Sequence, residues 1–322
     1  MSIDGETPLV SVVIPTCGRP DLLIQCVRSI LENDFQDFEI IVVDQDPASD
    51  LGVRLAGLGR ERQIVRVTLE EAALDRARNR GIDHARGRFL LFADDDIEVD
   101  RGWIRAYVEA FTSVQPAPGA IAGRLDAKYL APKPAWIPDT HLFGIYEKEQ
   151  DLGPIAEGDL PIGANFALLA DAVRRAGRFD ERMDYSYARK SMLSGGDSLM
   201  ALQVRQAGYA IYYQPAARAW HKISGTKLRP AWIIRRSYWD GVTQMTVLHL
   251  TDAVTRERSL AIIRWHLRSG IGGSLKRFMF PKKPDRRRLG SASAWMSLAV
   301  TCAKSMGTIR ASWKLNRTGR LP

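Results

Sequence analysis

Arg88-Phe89-Leu90-Leu91-Phe92-Ala93-Asp94-Asp95-Asp96 is the stretch that decides the fold. Its short apolar run reads as a buried strand. Three carboxylates at the C-terminal end of that strand repel one another and lose hydration, which folding tolerates poorly unless something cationic binds there. A divalent ion holding a diphosphate is the usual solution, because hard oxygen ligands suit Mg²⁺ or Mn²⁺. An isolated Asp triplet reads as readily as a solvated acidic loop. The strand end shifts the balance, since open α/β sheets bind ligands at the carboxyl ends of their strands.

Outward from this strand the pattern repeats. Leu9–Ile14 reads as a buried strand ended by Pro15, and Asp21–Glu32 as a helix with Leu22, Cys26, Val27, Ile30 and Leu31 on one stripe. Phe38–Val43 is a second strand ending at Asp44. Residues 50–60 look helical but are broken by glycines, and Gln63–Thr68 is a short third strand. Leu74–Ala85 is helical and broken by Gly87; after Phe89–Ala93 comes a helix over Trp103–Thr112. Strands alternating with helices predict an α/β fold: a Rossmann-like, mostly parallel sheet with helices on both faces and right-handed crossovers. Pro116–Pro161, rich in Pro, Gly and aromatics, reads as loops and short strands. Helices follow at Ala170–Ala176 and Ser198–Ala207, and a strand at Tyr209–Tyr213.

The chain of 322 residues carries a net charge of +9, unevenly spread. Residues 222–322 hold 21 Lys and Arg against 4 Asp and Glu, a net of +17, whereas residues 1–221 carry a net of −8. From about residue 228 the sequence is basic and helical. Trp295, Leu298, Ala299, Cys302, Met306, Ile309 and Trp313 form one apolar stripe, and Pro281–Arg288 is a basic linker. A Trp-bordered amphipathic helix with flanking cations suits an anionic membrane surface, or packs its stripe on the preceding α/β region or a second subunit. No helix-turn-helix, zinc or RNA-binding motif is present, so nucleic acid is not expected as a partner. No run of 18 apolar residues and no signal peptide are found, and Cys17, Cys26 and Cys302 lack metal-ligand spacing and imply no disulfide framework. The expected location is the cytoplasm, peripheral at the inner face of the cell membrane.

Several polar motifs lie at strand ends. Ile14-Pro15-Thr16-Cys17-Gly18-Arg19-Pro20 and Val43-Asp44-Gln45-Asp46 can offer backbone donors and a carboxylate to one nucleotide, although Asp44 and Asp46 can equally cap the next segment. Asp75-Arg76-Ala77-Arg78-Asn79-Arg80-Gly81 puts several guanidiniums on one helix, one of which can steady a diphosphate or the acidic cluster. Gly195-Gly196-Asp197 offers a helix cap or a general base. His221, after a strand, is a structural residue or a metal or phosphate contact.

Taken in order, Val-Ile-Pro-Thr, Val-Val-Asp, Arg-Asn-Arg-Gly, Asp-Asp-Asp, Gly163-Ala164-Asn165-Phe166, Gly177-Arg178-Phe179-Asp180-Glu181, Gly-Gly-Asp and His221 resemble the family 2 glycosyltransferases of the GT-A fold. The resemblance spans roughly residues 8–225. It implies a GT-A catalytic domain over 1–225, with a nucleotide-binding half at 1–115 and an acceptor-side half at 116–225. A basic amphipathic helical region then covers 226–322.

It further implies a nucleotide-sugar donor, a UDP-sugar by family expectation, a divalent cation (Mn²⁺ or Mg²⁺) and inversion at the anomeric carbon. Pro15, Thr16, Arg19, Asp44, Asp46, Arg78, Asp94 and Asp95 are then expected on the nucleotide. Asp96, Asp94 and His221 are expected near the metal, and Gly163, Asn165, Phe179 and Asp180 on the acceptor and donor-sugar side. Asp197 becomes the catalytic base. The acceptor would be a glycan or a lipid-linked glycan, the latter presented on a polyprenyl carrier at the membrane. Two departures stand out: Gln45-Asp46 replaces the common Asp-Gly-Ser, and Gly196 replaces the acid that often precedes the base. The rival readings are a sugar nucleotidyltransferase, for which the first loop lacks a Lys, and a non-catalytic scaffold binding nucleotide or membrane.

Overall fold

The computed structural model describes residues 7–60, 63–137, 143–156, 159–161, 163–184, 191–251, 255–275 and 292–318. The basic linker at 281–288 lies outside them. The chain divides into two compact units. The first comprises Met1–Lys128, Gly144–Arg189 and Gly196–Lys222, and the second comprises Tyr129–Phe143, Lys190–Gly195 and Ile223–Pro322.

The first unit is built on a sheet whose strands are β1 (Val10–Thr16), β2 (Phe38–Asp44), β3 (Ile64–Thr68), β4 (Phe89–Ala93), β5 (Ile97–Val99), β6 (Pro118–Tyr129), β7 (Gly153–Pro154), β8 (Asn165–Leu169) and β9 (Ala210–Ile223). They run in the order β3-β2-β1-β4-β8-β6-β9-β5, with β7 on β9. The first four are mutually parallel, as the strand–helix alternation predicts. From β8 onward the pairings are antiparallel, which completes a mixed sheet.

Alternation along the strands divides the core. Val10, Val12 and Ile14 pack with Leu23, Cys26, Val27 and Ile30 of α1 (Pro20–Leu31), with Leu51 and Leu55 of α2 (Leu51–Ala56), and with Trp103 and Tyr107 of α4 (Trp103–Ser113). Val13, Ile41 and Val43 face the other side, against Ala77 of α3 (Leu74–His84), Val173 of α5 (Ala170–Ala176) and Met200 and Val204 of α6 (Gly196–Gln206). Helices thus cover both faces of the sheet, and the loops after β1, β2 and β4 open at one end of it.

Three sequence expectations change. Strand β1 does not stop at Pro15: its pairing with β2 continues through Pro15–Val43 and Thr16–Asp44. Its pairing with β4 ends at Val13–Phe92, so a residue without an N–H is tolerated there. Residues 116–161 are not only loops and short strands, because β6 is a strand of 12 residues. Its Gly119-Ala120-Ile121-Ala122-Gly123 core has little intrinsic β preference and is fixed by burial. Strand β9 runs 14 residues, well past Tyr213. Pro215, the break in its sequence, falls between the stretches paired to β7 (Tyr212, Tyr213) and β5 (Ala219–His221).

The second unit contains α7 (Pro230–Leu250), α8 (Arg256–Trp265), a π-helical turn over His266–Gly272 and α9 (Ala292–Thr318). Helix α9 packs on α7 through its small residues. Ala303, Gly307, Thr308, Ala311 and Ser312 are buried, and Gly307 approaches so closely that a Cβ there would lie 1.9 Å from the Tyr238 carbonyl oxygen. Within this unit the apolar stripe foreseen in the sequence faces outward: Trp295, Met306 and Trp313 are more than half exposed. Among the described residues no helix is long and apolar enough to cross a membrane.

Candidate active site

Strand β4 delivers Asp94, Asp95 and Asp96 to the open end of the sheet, and their environments differ. The Asp95 side chain is fully buried and the Asp96 side chain 5% exposed, while that of Asp94 is 30% exposed. Thr16 Oγ1, at the end of β1, donates to Asp95 Oδ2 at 2.7 Å. Arg19, in the loop that follows, places Nη2 2.6 Å from Asp95 Oδ1 and donates from Nη1 to Asp96 Oδ2 at 3.0 Å. Asp95 Oδ1 is nonetheless buried without a well-angled hydrogen bond. His221 Nε2, on β9, lies 3.4 Å from Asp96 Oδ1. Burial raises the Asp95 carboxyl to about 7, against the pull of Arg19 and with a push from Asp96. Burial also raises Asp94, opposed by Arg78 and reinforced by Asp96.

Among the described residues no three His, Cys, Asp or Glu side chains form a ready cage for an ion. The chemistry of the donors still fits a hard divalent cation: carboxylate oxygens of Asp94 and Asp96, an imidazole at the edge, and an under-bonded oxygen on Asp95.

The acidic triplet connects to Asp197 through Arg78. This guanidinium is 4% exposed and stacks over the Phe179 ring at 5.4 Å. Its Nη1 donates to Asp75 Oδ1 at 3.0 Å, its Nη2 donates to the Gly163 carbonyl at 3.3 Å, and Nη2 lies 3.6 Å from Asp94 Oδ1. Burial works against its charge, but Asp75, Asp94 and Asp197 outweigh it and raise its pKa. Gly163 in turn gives its N–H to Asp197 Oδ2. A Cβ at Gly163 would lie 2.4 Å from Arg78 Nη2 and 3.0 Å from Asp197 Oδ2, so glycine is what lets the two charged groups meet across this backbone. Asp197 opens α6, and its Oδ1 accepts from the Ser198 N–H at 2.9 Å.

Other expected residues lie elsewhere. Asp44 is buried, and Arg66 of β3 donates to its Oδ2 from both Nε (3.0 Å) and Nη2 (2.7 Å). Asp44 also accepts from the Asp46 N–H and from Ser49 Oγ, so it organises its own loop. Asp46 is half-buried beside it. Pro15 is buried in β1. Asn165 turns into the core: Oδ1 accepts from Trp103 Nε1 and Tyr107 OH, and Nδ2 donates to the Arg124 and Ala217 carbonyls. With both ends of its amide engaged, it anchors the sheet under the site. Phe179 is 2% exposed and packs on Phe92 and Phe166. Asp180 pairs with Arg182, which lowers its pKa, and caps the turn Glu181–Met183.

Two residues outside the expected set matter. Arg66 has a sequence signal, a lone cation inside the apolar strand Ile64-Val65-Arg66-Val67, in register with Val42 beside the Asp44 end of β2. Asp75 is 2% exposed, and burial raises its carboxyl to about 7 despite Arg78. Nothing in a helix-starting Asp distinguishes it from an ordinary first-turn acid.

The sequence pattern of glycosyl transferase family 2 matches residues 11–174, half of the chain. The chain is 34% identical over 98 residues to the GalNAc(5)-diNAcBac-PP-undecaprenol beta-1,3-glucosyltransferase of Campylobacter jejuni, and this match spans about a third of that relative's length (32%). It is 21% identical over 240 residues to the glucosyl-dolichyl phosphate glucuronosyltransferase of Haloferax volcanii, covering 73% of this chain and 76% of that one. Among solved structures it is similar to the mannosyltransferase PcManGT of Pyrobaculum calidifontis in complex with GDP-Man and Mn²⁺. That likeness has a TM-score of 0.61 at 15% identity and covers 95% of this chain and 88% of the other. It is also similar to S. aureus TarS 1–349 in complex with UDP-GlcNAc, with a TM-score of 0.53 at 14% identity, covering 97% of this chain and 92% of that one. At these identities the structural likeness speaks for the fold, which is GT-A. By the match across half its length, the chain belongs to glycosyl transferase family 2.

Proposed function

We propose that the protein is an inverting glycosyltransferase that moves a sugar from a nucleoside-diphosphate donor, a UDP-sugar first among the candidates, to a hydroxyl of a lipid-linked glycan. The observation that carries this reading is the continuous contact path from Asp94 through Arg78 and Gly163 to Asp197. It joins the acidic end of β4 to a carboxylate opening another helix, as a reaction that needs both a stabilised leaving group and a base requires.

The nucleotide would occupy the ends of β1 and β2, near Pro15, Thr16, Arg19, Asp44 and Asp46. Arg66 holds Asp44 in a fixed orientation for that contact. Asp96, Asp94 and His221 would hold a divalent cation, Mn²⁺ or Mg²⁺, which supplies charge neutralisation for the departing diphosphate. Arg78 adds a buried, fixed positive charge beside Asp94. Asp197, oriented by the Gly163 N–H, accepts the proton of the acceptor hydroxyl as its oxygen bonds to C1 and the C1–O bond to the diphosphate breaks. Attack opposite the leaving group inverts the anomeric centre, through a transition state with oxocarbenium character. Gly163 lies between these groups. Asn165 and Phe179 support the sugar side from beneath, and Asp180 from its rim.

The catalytic domain on this reading is 1–225, and 226–322 is a basic helical appendage. The names of the Campylobacter and Haloferax relatives mention polyprenyl-linked substrates, which supports a lipid-linked acceptor. The outward Trp295 and Trp313 and the net charge of +17 over residues 222–322 support docking on an anionic membrane surface.

Calorimetric titration of UDP, GDP and dTDP, with and without Mn²⁺, tests the reading. One diphosphate should bind in a metal-dependent way, and Asp96→Ala should abolish the metal dependence. Binding that ignores both the metal and Asp96 would remove the transferase site and favour a nucleotide-binding scaffold.

A further inference from the structure

Helix α6 enters through Gly195-Gly196-Asp197, and position 196 has no room for a side chain. A Cβ there would lie 2.0 Å from Asp75 Oδ2 and 2.4 Å from both Asp75 Cγ and Oδ1. The volume beside the base is therefore already filled by a carboxylate that reaches in from α3. That carboxylate is fixed at its root: the N–H groups of Asp75 and Arg76 both donate to Asp184 Oδ1, at 2.5 and 3.3 Å, which caps α3 from a distant loop.

Asp75 differs from the other acids around Arg78. Asp94 lies 3.6 Å from the guanidinium, beyond hydrogen-bond range, and is 30% exposed. Asp197 shares Gly163 with Arg78, taking its N–H while Arg78 donates to its carbonyl. Asp75 is the buried acid that takes a direct hydrogen bond from Arg78, at 3.0 Å. A buried guanidinium without a dedicated counter-charge is costly and would swing toward whichever carboxylate was nearest. Asp94 and Asp197 are then left open to ligands because Asp75 satisfies Arg78.

We propose that Asp75 is the positioning residue of this site: from α3 it occupies the space left by Gly196 and holds Arg78 between Asp94 and the Gly163 backbone that carries Asp197. This inference rests on the reading of Asp197 as base. It names a carboxylate whose function depends on where it is placed, so a carboxylate supplied from position 196 should replace it. Gly196→Asp and Asp75 compete for the same volume, and the exchange works only when Asp75 is shortened.

The test is a carboxylate transposition. Wild type, Asp75→Ala, Gly196→Asp, the double variant Asp75→Ala/Gly196→Asp, and Asp197→Asn are compared. Turnover is read as release of nucleoside diphosphate from UDP-glucose, GDP-mannose or dTDP-glucose, and is divided by the number of nucleotide-binding sites counted by calorimetry, so that unfolded molecules do not enter. Asp75→Ala should lower kcat per binding site ~10–100-fold, with KM for the donor changed less than about threefold, as expected for a misplaced charge. The double variant should return to within about tenfold of wild type, while Gly196→Asp alone stays impaired. If Asp75→Ala does not fold, the shorter Asp75→Ser takes its place, alone and combined with Gly196→Asp. Unchanged turnover per site in the Asp75 variant, or a double variant no better than the single, overturns the proposal. Normal turnover in Asp197→Asn would instead remove the base assignment on which it rests.

Discussion

Arg19 bridges Asp95 and Asp96, with one guanidinium nitrogen 2.6 Å from Asp95 Oδ1 and the other 3.0 Å from Asp96 Oδ2. It supplies positive charge to an acidic triplet that Arg78 also flanks, on the Asp94 side. A divalent ion entering the same site must share those oxygens with it. Arg19→Ala is therefore expected to lower the metal-free Tm by about 2–5 °C. It should also enlarge the stabilisation conferred by saturating Mn²⁺, because the vacated oxygens bind the ion more tightly. Scanning calorimetry with and without Mn²⁺ measures both. Equal Mn²⁺ shifts in the two proteins would place the ion away from Arg19.

Asp197 is held by one backbone N–H from Gly163 and one from Ser198. Asn at 197 keeps an oxygen for one of these bonds and cannot accept a proton. Asp197→Asn should leave nucleoside-diphosphate affinity within about threefold of wild type and lower turnover ~10²–10⁴-fold. A matching loss of nucleotide affinity would show that the carboxylate holds the donor instead.

The Asp75 carboxyl predicts a pH dependence of stability. Its native pKa, raised by burial to about 7, lies above the ordinary value of 3.8. Between those values the folded state holds a proton that the unfolded state has released, so this group's stabilising contribution is complete below the lower value and is lost as pH rises through about 7. Asp75→Asn removes the titration while keeping an acceptor for Arg78. The variant's Tm relative to wild type should climb between about pH 5 and pH 8. Parallel Tm–pH curves for the two proteins would mean that Asp75 is ionised throughout that range.

The parallel half of the sheet was legible because β1, β2 and β4 are buried on both faces and β2 and β4 end where polarity returns, at Val43-Asp44 and Ala93-Asp94. The antiparallel half was not. Strand β6 is built around glycine and alanine, and β9 contains Pro215, so burial and pairing override local preference there. In the site, the acids and Gly163 stood out by motif order. Their partners did not: whether Arg78 faces solvent or the sheet, and whether Asp75 caps a helix or pairs a buried cation, depends on contacts 85 residues or more apart in the chain for Arg78–Gly163 and Asp75–Asp184. Asn165 misled for the same reason. A polar residue in a glycine-bearing motif reads as a ligand contact, whereas its four hydrogen bonds lead into the core.

Gly307 and Tyr238 set the crossing of α9 over α7. A methyl at 307 would lie 1.9 Å from the Tyr238 carbonyl oxygen, and backbone on both sides cannot yield as a side-chain tip would. Gly307→Ala should destabilise this unit by about 1–3 kcal/mol, as overpacking does. Hydrogen exchange should accelerate along Ile233–Met245 and Ala303–Leu315, with the exchange of β1, β2 and β4 unchanged. Protection equal to wild type in both helices would show that the crossing relaxes without cost.

The outward face of the second unit makes a separate prediction. Trp265, Trp295 and Trp313 are 59%, 57% and 56% exposed, and Arg317 stacks on the Trp313 ring at 5.1 Å. Large aromatic side chains more than half exposed, one of them under a guanidinium, match a membrane interface, where the ring enters the headgroup region and the cation meets lipid phosphate. The full-length protein should co-sediment with phosphatidylglycerol-containing vesicles and not with pure phosphatidylcholine, and salt should weaken the binding. The Trp265→Ser/Trp295→Ser/Trp313→Ser variant removes apolar area without changing net charge, so a loss of about tenfold or more in vesicle affinity with an unchanged Tm would assign the surface to the bilayer. Unaltered sedimentation of the triple variant would show that charge alone draws the protein to lipid, and the aromatic face would then belong to a protein partner.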